Sequence, residues 1–469
     1  MTFTRTKIIC TIGPATEDLN SLKKLHKNGM NVARINMSHA THKSAKAVID
    51  RIHKINNDEK LAFGKIGILL DTQGPEIRTG DTEVTLDLKV GDEVTLTVRD
   101  EVDVETSSIK INYKDLIKSV SKGSRITVDN GLINFEVLSK DEETLLCKVL
   151  DGGKLGSKRH VNLPGVRVNL PSITAKDIVD ISFGIENDVD FIALSFVRNS
   201  EDLEKFQEIL DKKKSKAKII AKIENQEGLD NIHDISKASW GVMVARGDLG
   251  IETSLTDLPN IQRRIMHACA KWGRRSIVAT HLLESMIQNP TPTRAEVTDI
   301  ANAIYEGADA VMLSGETSVG KYPVECVRFL KSIAEKTEKF KTLEYEKSLS
   351  PNSDWQHIGV AANALAESIK ADGIIAITRT GKTANYISNS KPNGIPIFTF
   401  TNNKKTLTQL SLVGSSVPFY LSGLNSHEKT VNNITKILKK YYGNKSLKFI
   451  MVSGIFSEEH SEAIQIINI

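Results

Sequence analysis

Two grammars of apolar and polar positions divide the chain. Up to residue 72, strand-length apolar runs alternate with stretches whose apolar residues recur at helical spacing. The segments "KIICTIG" (7–13), "NVARINMS" (31–38) and "KIGILLDT" (65–72) read as strands. A helix after the first is predicted with Thr16 as N-cap, Glu17 and Asp18 in its first turn, and Gly29 past its end. A second runs through "KSAKAVIDRIHKI". From about residue 73 the period becomes two: "EVTLDL", "DEVTLTV", "RITVDNGLINFEVL" and "TLLCKVL" are rich in Val, Thr and Ile, with turn signals at Gly91-Asp92 and Asn130-Gly131. This all-β insertion ends near "NLPGVRVNLPS". The strand–helix alternation then resumes through "VDFIALSFV", "AKIIAKIEN", "WGVMVARGDLG", "SIVATHLL" and "ADAVMLSGE", and Thr293 with Glu296 forms a capping box.

Three strands before the insertion and five after it make eight parallel βα units. That count implies a TIM barrel, whose active site lies at the C-terminal ends of its strands. Beyond "VECVRFLKSIAEKTEKF", the stretch "SLSPNSDW" reads as a linker. A helix ("HIGVAANALAESIK") and buried strands "GIIAIT", "IPIFTF" and "LKFIMVSG" then form a doubly wound α/β domain. The expected domains are residues 1–72 with 170–345, 73–169, and 346–469.

Composition narrows the class. The 469 residues exceed one ordinary core and suggest roughly three domains. A net charge of +4, interspersed along the chain, leaves no nucleic-acid footprint. Lys212-Lys213-Lys214 reads as a solvated helix end. No apolar run approaches the ~18 residues of a membrane span, and the N-terminus lacks a signal-peptide core. Cys10, Cys147, Cys269 and Cys326 make no paired motif and fit buried thiols in a reducing cytoplasm.

Candidate chemistry gathers at the polar strand ends: Arg34-Asn36-Ser38, Asp71-Thr72, Ser195, Lys222-Glu224, Gly247-Asp248, Thr280 and Ser314-Gly315-Glu316. Residues i and i+2 of a strand share a face roughly 6–7 Å apart, so Lys222 and Glu224 address one site. Glu224 and Asp248 are hard oxygen ligands suited to Mg²⁺. The alternative is a structural salt bridge at a sheet end. Recurrence on three neighbouring strands argues against that.

The motifs "TKIICTIGPAT" (6–16), "NVARINMSH" (31–39), "LLDTQGPEIRTG" (69–80), "AKIEN" (221–225), "VARGDLG" (244–250), "ATHLLESMI" (279–287), "NPTPTRAEVTD" (289–299) and "MLSGETSVGKYP" (312–323) closely resemble those of the pyruvate kinase family, over essentially the whole chain. The resemblance implies a TIM barrel carrying an inserted β-barrel lid and a C-terminal α/β domain. It implies phosphoryl transfer from phosphoenolpyruvate to ADP in a cytoplasmic homotetramer. By that likeness Glu224 and Asp248 hold Mg²⁺ or Mn²⁺, and Lys222 steadies the phosphoryl group. Gly247 and Asp248 amides receive the substrate carboxylate, Thr280 serves the proton relay, and Arg34 grips phosphate. Asn36, His39, Arg78 and Arg159 lie on the nucleotide side. Asn36, Ser38, Asp71 and Thr72 match the potassium site. Relatives that need no monovalent cation tend to carry Lys where this chain has Glu76, so potassium dependence is expected.

Departures are few. His281 stands where many relatives carry Gln or Asn, and strand alternation points it away from Thr280. Arg159-His160 replaces a usual Lys-Gly. The run "TRTGKT" (378–383), with Thr378, Thr380, Gly381, Lys382 and Thr383, matches the family's effector loop, where a phosphorylated effector is cradled. A plain N-cap turn is its alternative. Ala376 in place of a first glycine speaks against a P-loop. The C-terminal "GIFSEEHSEAIQIINI" lacks the glycine-rich loop of fructose-bisphosphate-activated relatives.

Overall fold

In a computed structural model the described residues are 4–58, 64–82, 84–99, 108–129, 131–166, 168, 170–422, 426–443, 445–453 and 463–469. Eight parallel strands close into a barrel: Lys7–Thr11, Val32–Asn36, Gly67–Asp71, Phe191–Leu194, Lys218–Ile223, Gly241–Ala245, Arg275–Ala279 and Ala310–Leu313. Chain order is spatial order, and the first strand pairs with the last, Lys7 opposite Ala310. Alternation along each strand sorts the side chains. Ile8, Cys10, Ile68, Leu70 and Ile219 face the surrounding helices, while Ile9, Val32, Leu69, Phe191, Ile220, Met243 and Ile277 fill the interior. Continuing the inward series by two or four residues replaces apolar groups with Arg34, Asp71, Lys222 and Glu224. The same period that packs the core therefore delivers charge to the rim.

Helix ends follow the sequence with one correction. Thr293 and Glu296 form the capping box, and Gly29 ends the first helix at a φ of 136°. The N-cap there is Asp18, which accepts from the amides of Asn20 and Ser21; Thr16 is buried instead, donating to the Thr317 carbonyl at 2.8 Å. A nearby barrel loop captures that hydroxyl, which local pattern cannot foresee. Helix Ser200–Lys212 ends at the solvated lysines as expected.

After Asp71 the chain enters a seven-stranded sheet with its own core of Val94, Leu96, Ile126, Phe135, Leu145 and Val149. A bridge between Thr79 and Ile111 joins its two edge strands, curling the sheet into a small barrel. Gly91 and Gly131 take positive φ in its turns; Asn130 lies outside the described residues.

The C-terminal sheet runs Ser416–Tyr420, Ile397–Thr401, Gly373–Ile377, Lys448–Ser453 and Ala463–Asn468, the last antiparallel. Its strands alternate between two apolar layers, one with Ile374, Ala376 and Ile397, the other with Ile375, Phe398 and Phe449, so both faces are covered. This unit seals the barrel floor. Leu412 joins the barrel-interior cluster, and the Lys7 ammonium donates to the Ser416 carbonyl at 2.6 Å. Asp309 receives Arg275 at 3.1 Å, Lys391 at 2.6 Å and the Ser276 amide at 2.9 Å. Arg275 also bonds Ser388 and Asn389. All four cysteines are buried and free.

Candidate active site at the barrel rim

Four charged side chains meet above the apolar barrel core. The Lys222 ammonium lies 3.1 Å from Asp71 and 2.9 Å from Glu224, and donates to Ser195 Oγ at 2.6 Å. Asp71 also receives Arg34 Nε at 2.7 Å, while Arg34 Nη1 donates to Thr11 Oγ1 at 2.8 Å. Ser195 in turn donates to the Thr72 carbonyl at 2.7 Å. Lys222 and Glu224 do address one site, as their spacing predicts.

The charges are held against burial. Desolvation would push Asp71 up, but Lys222 and Arg34 outweigh it and hold it below the ordinary carboxylate range. Burial would likewise lower Lys222, but Asp71 and Glu224 raise it above the ordinary lysine value. Glu224 goes the other way: burial, only partly opposed by Lys222 and reinforced by neighbouring Asp248, pushes it up to about 7. Asp248 is also raised, chiefly by burial. Asp71 Oδ1 has the Lys222 ammonium at 3.1 Å and Oδ2 has Arg34 at 2.7 Å, so both of its oxygens face a cation. Two adjacent carboxylates raised together beside one shared ammonium mark a place short of positive charge. No group of three or more His, Cys, Asp or Glu side chains is poised for a metal among the described residues. A cation on Glu224 and Asp248 would draw its other ligands from water and substrate, as Mg²⁺ commonly does.

Three supports surround this cluster, and of these the sequence pattern places only Ser195 at the rim. The Phe196 amide, at a φ of 55°, donates to Glu224 at 2.6 Å. Ser195 links Lys222 to Thr72. Arg246 Nη1 donates to both oxygens of Asp299 at 2.8 and 2.7 Å, and the same guanidinium donates to the carbonyls of Ala279 and Thr280 at 3.1 and 2.6 Å. The roles of Phe196 and Arg246 are hidden in the sequence because their partners come from distant segments.

Thr280 and His281 overturn the assumption of a continuing strand. The strand ends at Ala279, and both residues turn left-handed, at φ of 68° and 53°. His281 is exposed, with only its carbonyl held, by Arg246. Thr280 Oγ1 accepts the Gly247 amide at 2.8 Å, so the amide expected to receive a carboxylate is engaged by the protein itself. A Cβ at Gly247 would come no closer than 3.7 Å to its neighbours. Protein packing therefore does not require glycine there.

Other expected residues are placed as follows. Asn36 Oδ1 accepts the Ser38 amide at 3.2 Å, keeping both beside Asp71, whose strand pairs Asn36 with Asp71; His39 is exposed just beyond. Arg78 is bound to Glu76 at 2.7 Å and to the Lys158 carbonyl at 2.8 Å. Glu76 thus already has a cationic partner. Arg159 lies on the inserted sheet, 3.4 Å from Asp129. Glu316 leaves the rim set: it is fully buried and accepts the amides of Leu283 and Ser314. In the C-terminal unit the Gly381 amide donates to Thr378 Oγ1 at 2.9 Å, and Thr380 and Lys382 are exposed where helix Lys382–Asn389 begins. Most of the divergent C-terminal stretch, residues 454–462, lies outside the described residues.

A barrel rim with paired acids, a buried ammonium and a neighbouring arginine suits an enzyme that handles charged groups in transit. Comparison with known proteins says which. A family model described as "Pyruvate kinase, barrel domain" matches residues 3–327, and one described as "Pyruvate kinase, alpha/beta domain" matches 356–467. A pyruvate kinase of Staphylococcus epidermidis is 43% identical over 438 residues, covering 92% of this chain and 74% of that protein. Plastidial pyruvate kinase 2 of Arabidopsis thaliana is 41% identical over 447 residues, covering 93% and 75%. The crystal structure of a pyruvate kinase from Cryptosporidium parvum superposes with a TM-score of 0.93 at 34% identity, covering 99% of this chain and 96% of that one. The chain belongs to the pyruvate kinase family. It is an enzyme that moves a phosphoryl group from phosphoenolpyruvate to ADP, yielding pyruvate and ATP. Among the described residues no helix is long and apolar enough to cross a membrane.

Proposed function

We propose that the rim residues divide the reaction as follows. Glu224 and Asp248 hold a divalent cation, Mg²⁺ or Mn²⁺, which when bound neutralises phosphoryl and enolate oxygens. Lys222 donates to the phosphoryl group in transit, and Arg34, which shares Asp71 with it, grips its oxygens. The amides of Gly247 and Asp248 receive the substrate carboxylate, which requires Gly247 to release Thr280. The freed Thr280 hydroxyl then relays a proton toward the enolate carbon. Asn36, His39, Arg78 and Arg159 face ADP, and Arg78 exchanges Glu76 for phosphate as it does so. The observation that carries this reading is the charge imbalance at Glu224 and Asp248.

Asn36, Ser38, Asp71 and Thr72 offer oxygens to K⁺, supported by the strand pairing that sets Asn36 beside Asp71. Turnover in tetramethylammonium buffer should fall at least about tenfold and recover on adding KCl, each tenfold step being about 1.4 kcal/mol. Equal turnover in both buffers would remove the potassium assignment. For the divalent site, Mn²⁺ binding followed by electron paramagnetic resonance should weaken in Glu224→Gln; unchanged binding would move the metal elsewhere. The loop from Thr378 through Thr380, Gly381 and Lys382 to Thr383 takes a phosphorylated effector, tested by titrating sugar phosphates against the substrate saturation curve. A homotetramer, read by light scattering, and a cytoplasmic location complete the proposal, with domain limits at 1–72 plus 170–345, 73–169 and 346–469.

A further inference from the structure

The inserted sheet joins the barrel through two crossings of the chain, one leaving after Asp71 and one returning before helix Ala175–Glu186. One carboxylate holds both. Asp177 Oδ1 accepts the Gly74 amide of the outgoing crossing at 3.0 Å. Its Oδ2 accepts the Thr174 amide at 2.9 Å and the Thr174 hydroxyl at 2.7 Å on the return. Thr174 and Asp177 are also the capping box of that helix, and a capping box alone accounts for the Oδ2 bonds. It accounts neither for the Oδ1 bond to a distant segment nor for a carboxylate wholly buried with no ion pair among the described residues. Three donors and the first turn of the helix meet its charge instead.

The outgoing crossing is also fixed on its barrel side. The Thr72 carbonyl accepts the Ser195 hydroxyl at 2.7 Å, and the Thr72 hydroxyl accepts the Ser195 amide at 3.2 Å. Gly74 stands at a φ of 77°, and a Cβ there would meet Ser195 Cβ at 2.7 Å and Phe196 Cδ2 at 2.9 Å. Only glycine fits so close an approach. Residues 72–74 thus lie flush on the pair that supports Lys222 and Glu224. Further out, the insertion meets the barrel through single bonds, such as Asn162 to Glu252 at 2.7 Å and Arg198 to the Val168 carbonyl at 3.4 Å.

We propose that Asp177 is a positioning residue for phosphoryl transfer: it pins both crossings to the barrel, so that the insertion is set over the rim from one fixed point and carries Arg78 and Arg159 to ADP in register. The ADP part rests on the nucleotide assignments proposed above; the pin does not.

Nitroxide labels at Lys122→Cys on the insertion and Lys205→Cys on the barrel, both exposed positions, read the spacing of the two bodies by double electron–electron resonance; the four native cysteines are buried. Labelled chain is mixed with excess unlabelled chain, so that each assembly carries one spin pair. Asp177→Asn keeps the shape but replaces one acceptor with a donor. It should widen the distance distribution at least about twofold and raise KM for ADP at least about fivefold, with Mn²⁺ binding within about twofold of the parent. Thr174→Val, which loosens only the return crossing, should widen the distribution less. A distribution unchanged in both variants would overturn the pin, whatever their melting temperatures. A widened distribution with KM for ADP unchanged would support the pin and count against the nucleotide assignments instead.

Discussion

Two buried charge clusters sit at opposite ends of the same barrel strands, and they obey different rules. On the floor, Asp309 is saturated: Arg275, Lys391 and the Ser276 amide and hydroxyl take up both its oxygens. At the rim, Lys222 and Arg34 take up both oxygens of Asp71, but Glu224 and Asp248 are both raised, chiefly by burial, beside one ammonium. The floor cluster is closed and joins the barrel to the C-terminal unit. The rim cluster is open and awaits cations. Strand Arg275–Ala279 has one end at each, so burial and charge alone do not distinguish a site from a clamp. Incomplete satisfaction does.

The sharpest test removes one charge from each cluster. Lys222→Met should cut turnover roughly a thousandfold, since a contact at ~4 Å under an effective dielectric near 20 contributes roughly 4 kcal/mol. Circular dichroism should show the fold retained. Near-full turnover would mean that the ammonium does not touch the reacting group. Asp309→Asn should do the reverse, leaving two buried cations without a counterion and costing about 3–5 kcal/mol of stability. Its turnover per folded molecule should stay within about twofold; a large loss there would blur the contrast between floor and rim.

A third test uses pH. Burial lowers Lys7 to about 8, with Glu338 and Asp309 only partly opposing it. Its folded pKa lies below the unfolded value of roughly 10.4, so the unfolded chain binds more protons between them and Lys7 adds stability as pH rises through that window. Lys7→Met should therefore gain most relative to the parent below about pH 8, by no more than about 3 kcal/mol, and lose that advantage towards pH 10.5. A stability difference independent of pH would show that Lys7 is not held against desolvation. The smallest effect belongs to Arg246→Lys, which keeps the charge but cannot hold Asp299 and both carbonyls at once. Turnover should drop about tenfold with little change in melting temperature. An unchanged rate would mean that Thr280 needs no support from beneath.

Much of this was legible from the chain, for a physical reason. Strand alternation is local, so the inward series ending in Lys222 and Glu224, and the count of eight units, can be read from spacing. What stayed hidden depends on distant partners or on backbone turns. Ser195 became a hub only when its strand was set beside Lys222 and Thr72. Arg246 acquired its role from Asp299, and Thr16 turned to the Thr317 carbonyl and left the cap to Asp18. Glu76 stands where some relatives carry lysine, and its pairing with Arg78 shows only in the fold. The left-handed turn at Thr280-His281 carries no glycine or asparagine to announce it.

That turn has a consequence for anyone trying to improve the enzyme. A β-branched residue at a φ of 68° is a conformational outlier, the kind of local strain that costs of order 1–3 kcal/mol and persists only where its surroundings enforce it. Screens that reward heat resistance alone would favour residues that relax position 280, and with them the loss of the hydroxyl. Thermostable libraries of this enzyme are best built with that position frozen, because there the more comfortable backbone and the working catalyst are competing products of selection.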